Sequence, residues 1–142
     1  MKNFFFYIII VAILIPYQLF ANKKNEYFQE GVSLFISKNF DKAKFKFEQD
    51  LILNPKNEMS YLYLSKIFHK LNKKNLQEVN LNTVILLDPI NEEATYILAK
   101  LKLENSDYKK SKELNDKLYS FCNKLCEKSK KLKVEIEKLS KK

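Results

Sequence analysis

Few residues in this 142-residue chain could do chemistry. Two are thiols, Cys122 and Cys126, four apart and flanked by Phe121 and Leu125. On a helix, residues four apart hold their Cβ atoms about 5–6 Å from each other, beyond the roughly 4 Å that a bridge requires. The spacing therefore predicts buried or partly buried thiols, with an intermolecular bridge between paired C-terminal helices as the alternative. A metal site needs more ligands, and the single imidazole, His69, is far away in sequence beside Lys70. No Ser–His–Asp arrangement, paired carboxylates or metal-ligand set stands out. No catalytic residue, metal or cofactor is expected, and the chain reads as a non-enzymatic one.

The elements that hold these residues are constrained by what is missing. The chain has one Gly, three Pro, no Trp and no Arg, whereas a typical domain of this length carries Gly at about 7%. Gly-rich phosphate loops and dinucleotide fingerprints cannot be built. Hairpin-rich sheets are disfavoured because their tight turns need residues at positive φ. An all-α chain remains. The net charge of +9 comes entirely from Lys. A basic balance suits nucleic acid, anionic lipid or acidic polymers. Without Arg the bidentate fork favoured for phosphate and guanine is absent, so nucleic acid is an unlikely partner. The abundance of Lys, Asn, Ile and Phe also matches an AT-rich genome.

Residues 1–21 read as a targeting segment. Lys2 precedes an uncharged stretch from Phe4 to Ala21, and its apolar core runs from Phe4 to Ile15. A basic start, an apolar run and a small residue at the end describe a secretory signal peptide. The alternative is an uncleaved anchor in the inner membrane through residues 4–21, since eighteen uncharged residues reach the lower edge of a bilayer span. Both place the protein in an exported, periplasmic or cell-envelope setting. The remainder makes one small domain.

A 34-residue period organises that domain. Asp50-Leu51-Ile52-Leu53-Asn54-Pro55 recurs as Val84-Ile85-Leu86-Leu87-Asp88-Pro89. The same shift pairs Tyr27 with Tyr61, Leu34 with Phe68, Phe47 with Leu81, Leu64 with Leu98 and Ser65 with Ala99. Such a period in an all-helical chain is one helix–turn–helix unit. Asn57 and Asn91 are suitable N-caps for the first helix of a unit, and Glu58, Glu92 and Glu93 follow where the helix dipole favours acids. Second helices are expected to begin near Asn39 and near Ser106-Asp107.

These residues resemble the tetratricopeptide repeat (TPR) family. The first unit carries Gly31, Leu34, Asn39-Phe40-Asp41-Lys42-Ala43, Phe47 and Pro55 at the family's spacing. The second keeps Tyr61, Leu64, Ser65, Phe68, Leu81 and Pro89, with Gln77 where a small residue is usual. The third keeps Leu98, Ala99 and Tyr108 but has Asn115 at an apolar position. The resemblance implies a right-handed solenoid of three units, about 24–57, 58–91 and 92–125. It also implies a concave face that binds a peptide or helix of another protein. Partner-facing positions carried over from the family are Phe28, Val32, Phe35 and Ile36, then Leu62, Lys66 and His69, then Tyr96, Lys100 and Leu103. Phe28, Val32 and Phe35 could equally be packed core. The family's clamp for a peptide carboxylate is not reproduced.

From Asp107 onward there is neither Pro nor Gly, and Leu118, Leu125, Leu132 and Leu139 recur every seven residues. One long helix is expected, with residues 126–142 as a basic extension beyond the repeats. Residues 105–142 hold twelve Lys against six acids. Such a helix could form a homodimer by coiled-coil pairing, or attach to an anionic membrane or envelope polymer. Alternatively, its apolar stripe caps the solenoid.

Overall fold

The computed structural model describes residues 26–141. The expected leader, residues 1–21, lies outside them. Among the described residues there are seven α-helices and no strand. Helix α1 covers 26–36, followed by α2 Phe40–Leu53, α3 Glu58–Lys70, α4 Lys74–Leu87, α5 Glu92–Glu104, α6 Tyr108–Phe121 and α7 Cys126–Leu139. No helix among them is long and apolar enough to cross a membrane. The chain divides into two compact units, one ending at Ser60 and the other beginning at Tyr61.

The 34-residue period is written into the backbone. Lys38, Asn72 and Ser106 adopt φ of 62°, 55° and 61°, each one period after the last. Each ends the first helix of a pair with the same two hydrogen bonds. Lys38 N–H donates to Phe35 O and Asn39 N–H to Leu34 O. Asn72 and Lys73 repeat this on His69 and Phe68, and Ser106 and Asp107 on Leu103 and Lys102. This is the Schellman closure, normally built on glycine. Here the left-handed residue is Lys, Asn or Ser, which is how a chain with one glycine makes three tight helix–helix turns. The second type of turn is also periodic. The Asn91 side chain accepts from Ala94 N–H at 3.0 Å, and Asn57 Oδ1 accepts from Met59 N–H at 3.2 Å. At the first type of turn, Asp107 caps α6 by accepting from Lys110 N–H at 3.1 Å. Asn39 makes no side-chain cap.

In the first unit, the only glycine lies against the largest core side chain. A Cβ on Gly31 would stand 2.7 Å from Phe47 Cε1 and 2.9 Å from Cδ1, and Phe47 is fully buried. One and two periods on, the equivalent positions are Ser65 and Leu81, then Ala99 and Asn115, all buried. Asp50 closes the unit. Its buried Oδ2 accepts from Asn57 Nδ2 at 2.7 Å and from Ser60 Oγ at 2.5 Å. Val84 is the buried apolar counterpart one period on.

In the second unit, α5 packs between α4 and α6, and α7 packs on α6 and α5. The small residue Ser111 donates its hydroxyl to Ala99 O at 2.8 Å, which pins α6 to α5 at the crossing. Lys102 on α5 reaches Glu78 on α4 at 2.6 Å. Many surface lysines of this region are engaged locally, with Lys110, Lys112 and Lys130 paired to Glu113, Asp116 and Glu127.

The C-terminal region differs from the sequence expectation in two respects. The helix from Asp107 does not run on. It stops at Phe121, Cys122 turns to ψ 145°, and α7 starts at Cys126. The thiols are not free either, since Cys122 and Cys126 are bonded to each other. The helical-geometry objection fails because residues 122–125 are not helical. The apolar stripe survives the break. Leu114, Leu118, Leu132 and Ile136 are all buried, with α7 packed on α6 and α5, so among the described residues the stripe closes the domain and no coiled-coil helix projects from it.

Asn115 explains its departure from the apolar pattern. Its Nδ2 donates to Ser129 O at 3.1 Å, and its Oδ1 accepts from Ser129 Oγ at 2.9 Å. It meets a polar residue of α7 instead of another repeat's apolar side chain.

The Gly31–Phe47 contact yields a stability cycle. Gly31→Ala gains about 1 kcal/mol of helix propensity but forces a buried ring to move, which costs about 1–3 kcal/mol. A net loss in urea midpoint is expected. Adding Phe47→Leu, as in the second unit, should couple favourably with Gly31→Ala by about 0.5–3 kcal/mol in a double-mutant cycle. Additive effects would count against this crossing.

Candidate functional site

The partner-facing positions fall on first helices of pairs, and each compact unit presents its own set. In the first, Phe28 is half-buried with its ring 5.9 Å from that of Phe47. Phe35, also half-buried, meets Phe40 edge-on at 5.6 Å. Both rings therefore pack within their own unit and still reach its surface. Val32 is half-buried between them in sequence, and Ile36 is 73% exposed. The result is an apolar patch on α1.

In the second unit, two of the expected positions are not available. Leu62 is only 2% and Leu103 only 6% exposed. Both belong to the core, because α3 and α5 are covered on that side and an apolar side chain at such a position is drawn inward. The other four reach solvent: His69 is exposed, and Lys66, Tyr96 and Lys100 are half-buried.

Lys66 fixes the geometry of this face. Its ammonium lies 2.8 Å from Glu93 on α5 and 5.0 Å from the centre of the Tyr63 ring. Tyr96 and Lys100 follow Glu93 along the same side of α5, at helical spacing. Lys128 on α7 completes the arrangement, with its ammonium 5.9 Å from the centre of the Tyr96 ring. Cations over aromatic faces are attracted by the ring quadrupole. The face thus joins α3, α5 and α7. Lys66 is neutralised by Glu93, while Lys100 and Lys128 make no ion pair among the described residues.

Two contributors were not assigned from sequence. Lys128 stands seven residues after Phe121, and a charge at that alternate seam position is the available signal that it faces something other than core. Glu92 was read as a helix-dipole acid. Its carboxylate in fact accepts the N–H groups of Asn123, Lys124 and Leu125, at 2.8 Å, 3.0 Å and 2.7 Å. No local pattern reveals a contact 31 to 33 residues away. Desolvation pushes this carboxyl up, but the hydrogen bonds from Asn123, Leu125 and Lys124, with the Lys124 charge, outweigh it and hold the pKa below the ordinary glutamate value.

A further cleft of about 630 Å³ lies over Leu98 and Lys102 between α4 and α6. Its charges are largely matched, with Glu78 on Lys102 and Glu113 on Lys110. No cluster of His, Cys, Asp or Glu that could hold a metal occurs among the described residues.

No family model matches the sequence, and no curated protein matches it. Solved structures do match. The TPR2B domain of yeast Sti1, in a complex with pHsp70, superposes with a TM-score of 0.75 at 16% identity, covering 82% of this chain and 97% of that one. This chain has the tetratricopeptide-repeat fold. The TPR domain of Arabidopsis OM64 agrees at a TM-score of 0.73 and 18% identity over 82% of this chain and 96% of that one. The Yersinia enterocolitica chaperone SycD, in complex with a peptide of the translocator YopD, does so at 0.72 and 13% identity, over 82% and 91%. Within this TPR fold, α1, α3 and α5 are the first helices of the three repeats, and α7 occupies the position after the last of them.

The Glu92 contacts set a pH dependence. Because the folded-state pKa lies below the unfolded value, the stabilisation is present at neutral pH and is lost as pH falls through the folded pKa. Glu92→Gln should be less stable than the parent at neutral pH. Its urea midpoint should also fall less steeply in the acid range. Hydrogen exchange at residues 123–125 should accelerate in the variant. Unchanged exchange there would contradict the clamp.

Proposed function

We propose that this chain is a non-enzymatic protein-interaction module, and that its first helices bind a peptide or helix of another protein. The observation carrying this reading is the solvent-reaching set Lys66, Tyr96, Lys100 and Lys128, gathered from three helices onto one side of a TPR fold. Two of its cations lack an acid, so the ligand's complementary group is a carboxylate. An aromatic ring with a cation above it offers a flat contact for an apolar side chain beside that carboxylate. The apolar patch of Phe28, Val32, Phe35 and Ile36 supplies a second contact area of the kind that marks interaction sites. Complexes of the similar Sti1 and SycD domains support the reading.

The setting we propose is the bacterial cell envelope, reached by export or by retention on an N-terminal anchor. Two features support it. Residues 1–21 have the composition of a leader. The Cys122–Cys126 bond is of a kind that persists in oxidising compartments.

Binding is tested with peptides selected on the intact protein from a random displayed library. Lys100→Glu combined with Lys128→Glu should weaken acidic selected peptides at least tenfold, with helicity unchanged by circular dichroism. Equal affinity would move the binding surface away from α5 and α7. Location is tested by fractionating the cells that make the protein and sequencing its N-terminus. A start near Asn22 in the envelope fraction is expected for export, and Met1 in the inner membrane for the anchor. Recovery with Met1 in the cytoplasm would overturn both.

A further inference from the structure

The bond between Cys122 and Cys126 and a continuous C-terminal helix exclude each other. Four-apart residues on a helix keep their Cβ atoms about 5–6 Å apart, and a disulfide needs about 4 Å. Everything else in the segment favours helix. There is no Pro or Gly from Asp107 to the end, and the residues are mainly Lys, Leu and Glu, all strong helix formers. The four-residue break at 122–125 therefore has no cause in local propensity. Two tertiary features hold it open, the bond itself and the Glu92 carboxylate that gathers three successive N–H groups. Both cysteines are half-exposed and within reach of a reductant.

We propose that Cys122–Cys126 is a redox latch. Its reduction by a dithiol lets residues 122–125 become helical, joins α6 to α7 and lifts α7 from α5 and α6. In the chemical step a reductant thiolate attacks one cysteine sulfur, forming a mixed disulfide and releasing the other cysteine as a thiolate. The reductant's second thiol then displaces the remaining cysteine and leaves as the reductant's own disulfide. Two electrons and two protons pass to Cys122 and Cys126. The undocking follows from geometry. Once 122–125 continue α6, the 14 residues of α7 project about 21 Å along its axis at 1.5 Å per residue and cannot fold back. The Asn115–Ser129 pair is broken, Leu132 and Ile136 leave the core, and Lys128 leaves Tyr96. A covered face of α5 and α6 is laid open, and the charge beside Tyr96 changes. The latch does not depend on the binding reading, but it would control the same surface.

The test uses the full chain with assigned backbone resonances, with and without excess dithiothreitol, and counts free thiols by alkylation and mass. With two thiols alkylated, the Cα shifts of residues 122–125 should move to helical values. Overhauser contacts of Leu132 and Ile136 with α5 and α6 should be lost in most molecules, and the radius of gyration should rise. Cys122→Ser combined with Cys126→Ser should give the same extended state without reductant. Two free thiols with unchanged shifts overturn the proposal. So does loss of helical shifts throughout α6, or a docked α7 in the double serine variant.

Discussion

The closeness of paired helices is the constraint on which the fold depends. In the first unit the backbone of α1 comes so near the Phe47 ring that no Cβ fits at Gly31 without displacing it. Ser65 holds the equivalent place one period later and Ala99 two periods later. In the third pair the approach is close enough for Ser111 to bond directly to Ala99 O. Close packing of this kind leaves little tolerance for a methylene more or less. It also explains the economy of glycine. The residue is spent where a large partner demands it, while the three left-handed turns are closed on Lys38, Asn72 and Ser106, whose φ strain is repaid by two backbone hydrogen bonds each.

Polar residues in the core have specific employment. Asp50 gathers the side chains of Asn57 and Ser60 at the turn that follows α2, tying the start of α3 to the end of α2. Asn115 and Ser129 exchange hydrogen bonds where the last repeat meets α7. A buried polar group is costly unless it is paired, and these pairs form in only one register. They fix which helix follows which more strictly than leucine against leucine would. The end of the domain therefore differs chemically from its interior, as the end of a repeat array must when no further repeat covers it.

The proposed binding surface rests on the same arrangement. First helices place Lys66, Tyr96 and Lys100 at matched positions, and α7 brings Lys128 to them. The fold supplies a scaffold in which exposed positions on α3 and α5 are free of structural duty, with Lys66 tied to Glu93 and the other cations open to a ligand. The elements that close the domain thus also complete its candidate surface, since Lys128 is on the closing helix.

Periodicity, the turns within the repeats and the all-α class were legible in the sequence because they rest on local rules. Prolines stop helices, Asn and Asp cap them, and small residues recur where helices cross. The register of Gly31, Ala43 and Phe47 was legible for the same reason. Burial at Leu62 and Leu103 was not, because whether a position on a helix faces a neighbour or solvent is settled by the neighbour. The C-terminal break was hidden more deeply. Local propensity from Asp107 onward argues for one helix, and the forces against it, a carboxylate 31 residues away in Glu92 and a covalent bond that helical geometry forbids, exist only once the chain has folded. The sequence determined the repeating unit through short-range sterics and hydrogen bonding. The tertiary structure decided where the repeats end, because only long-range contacts can outweigh a favourable helix.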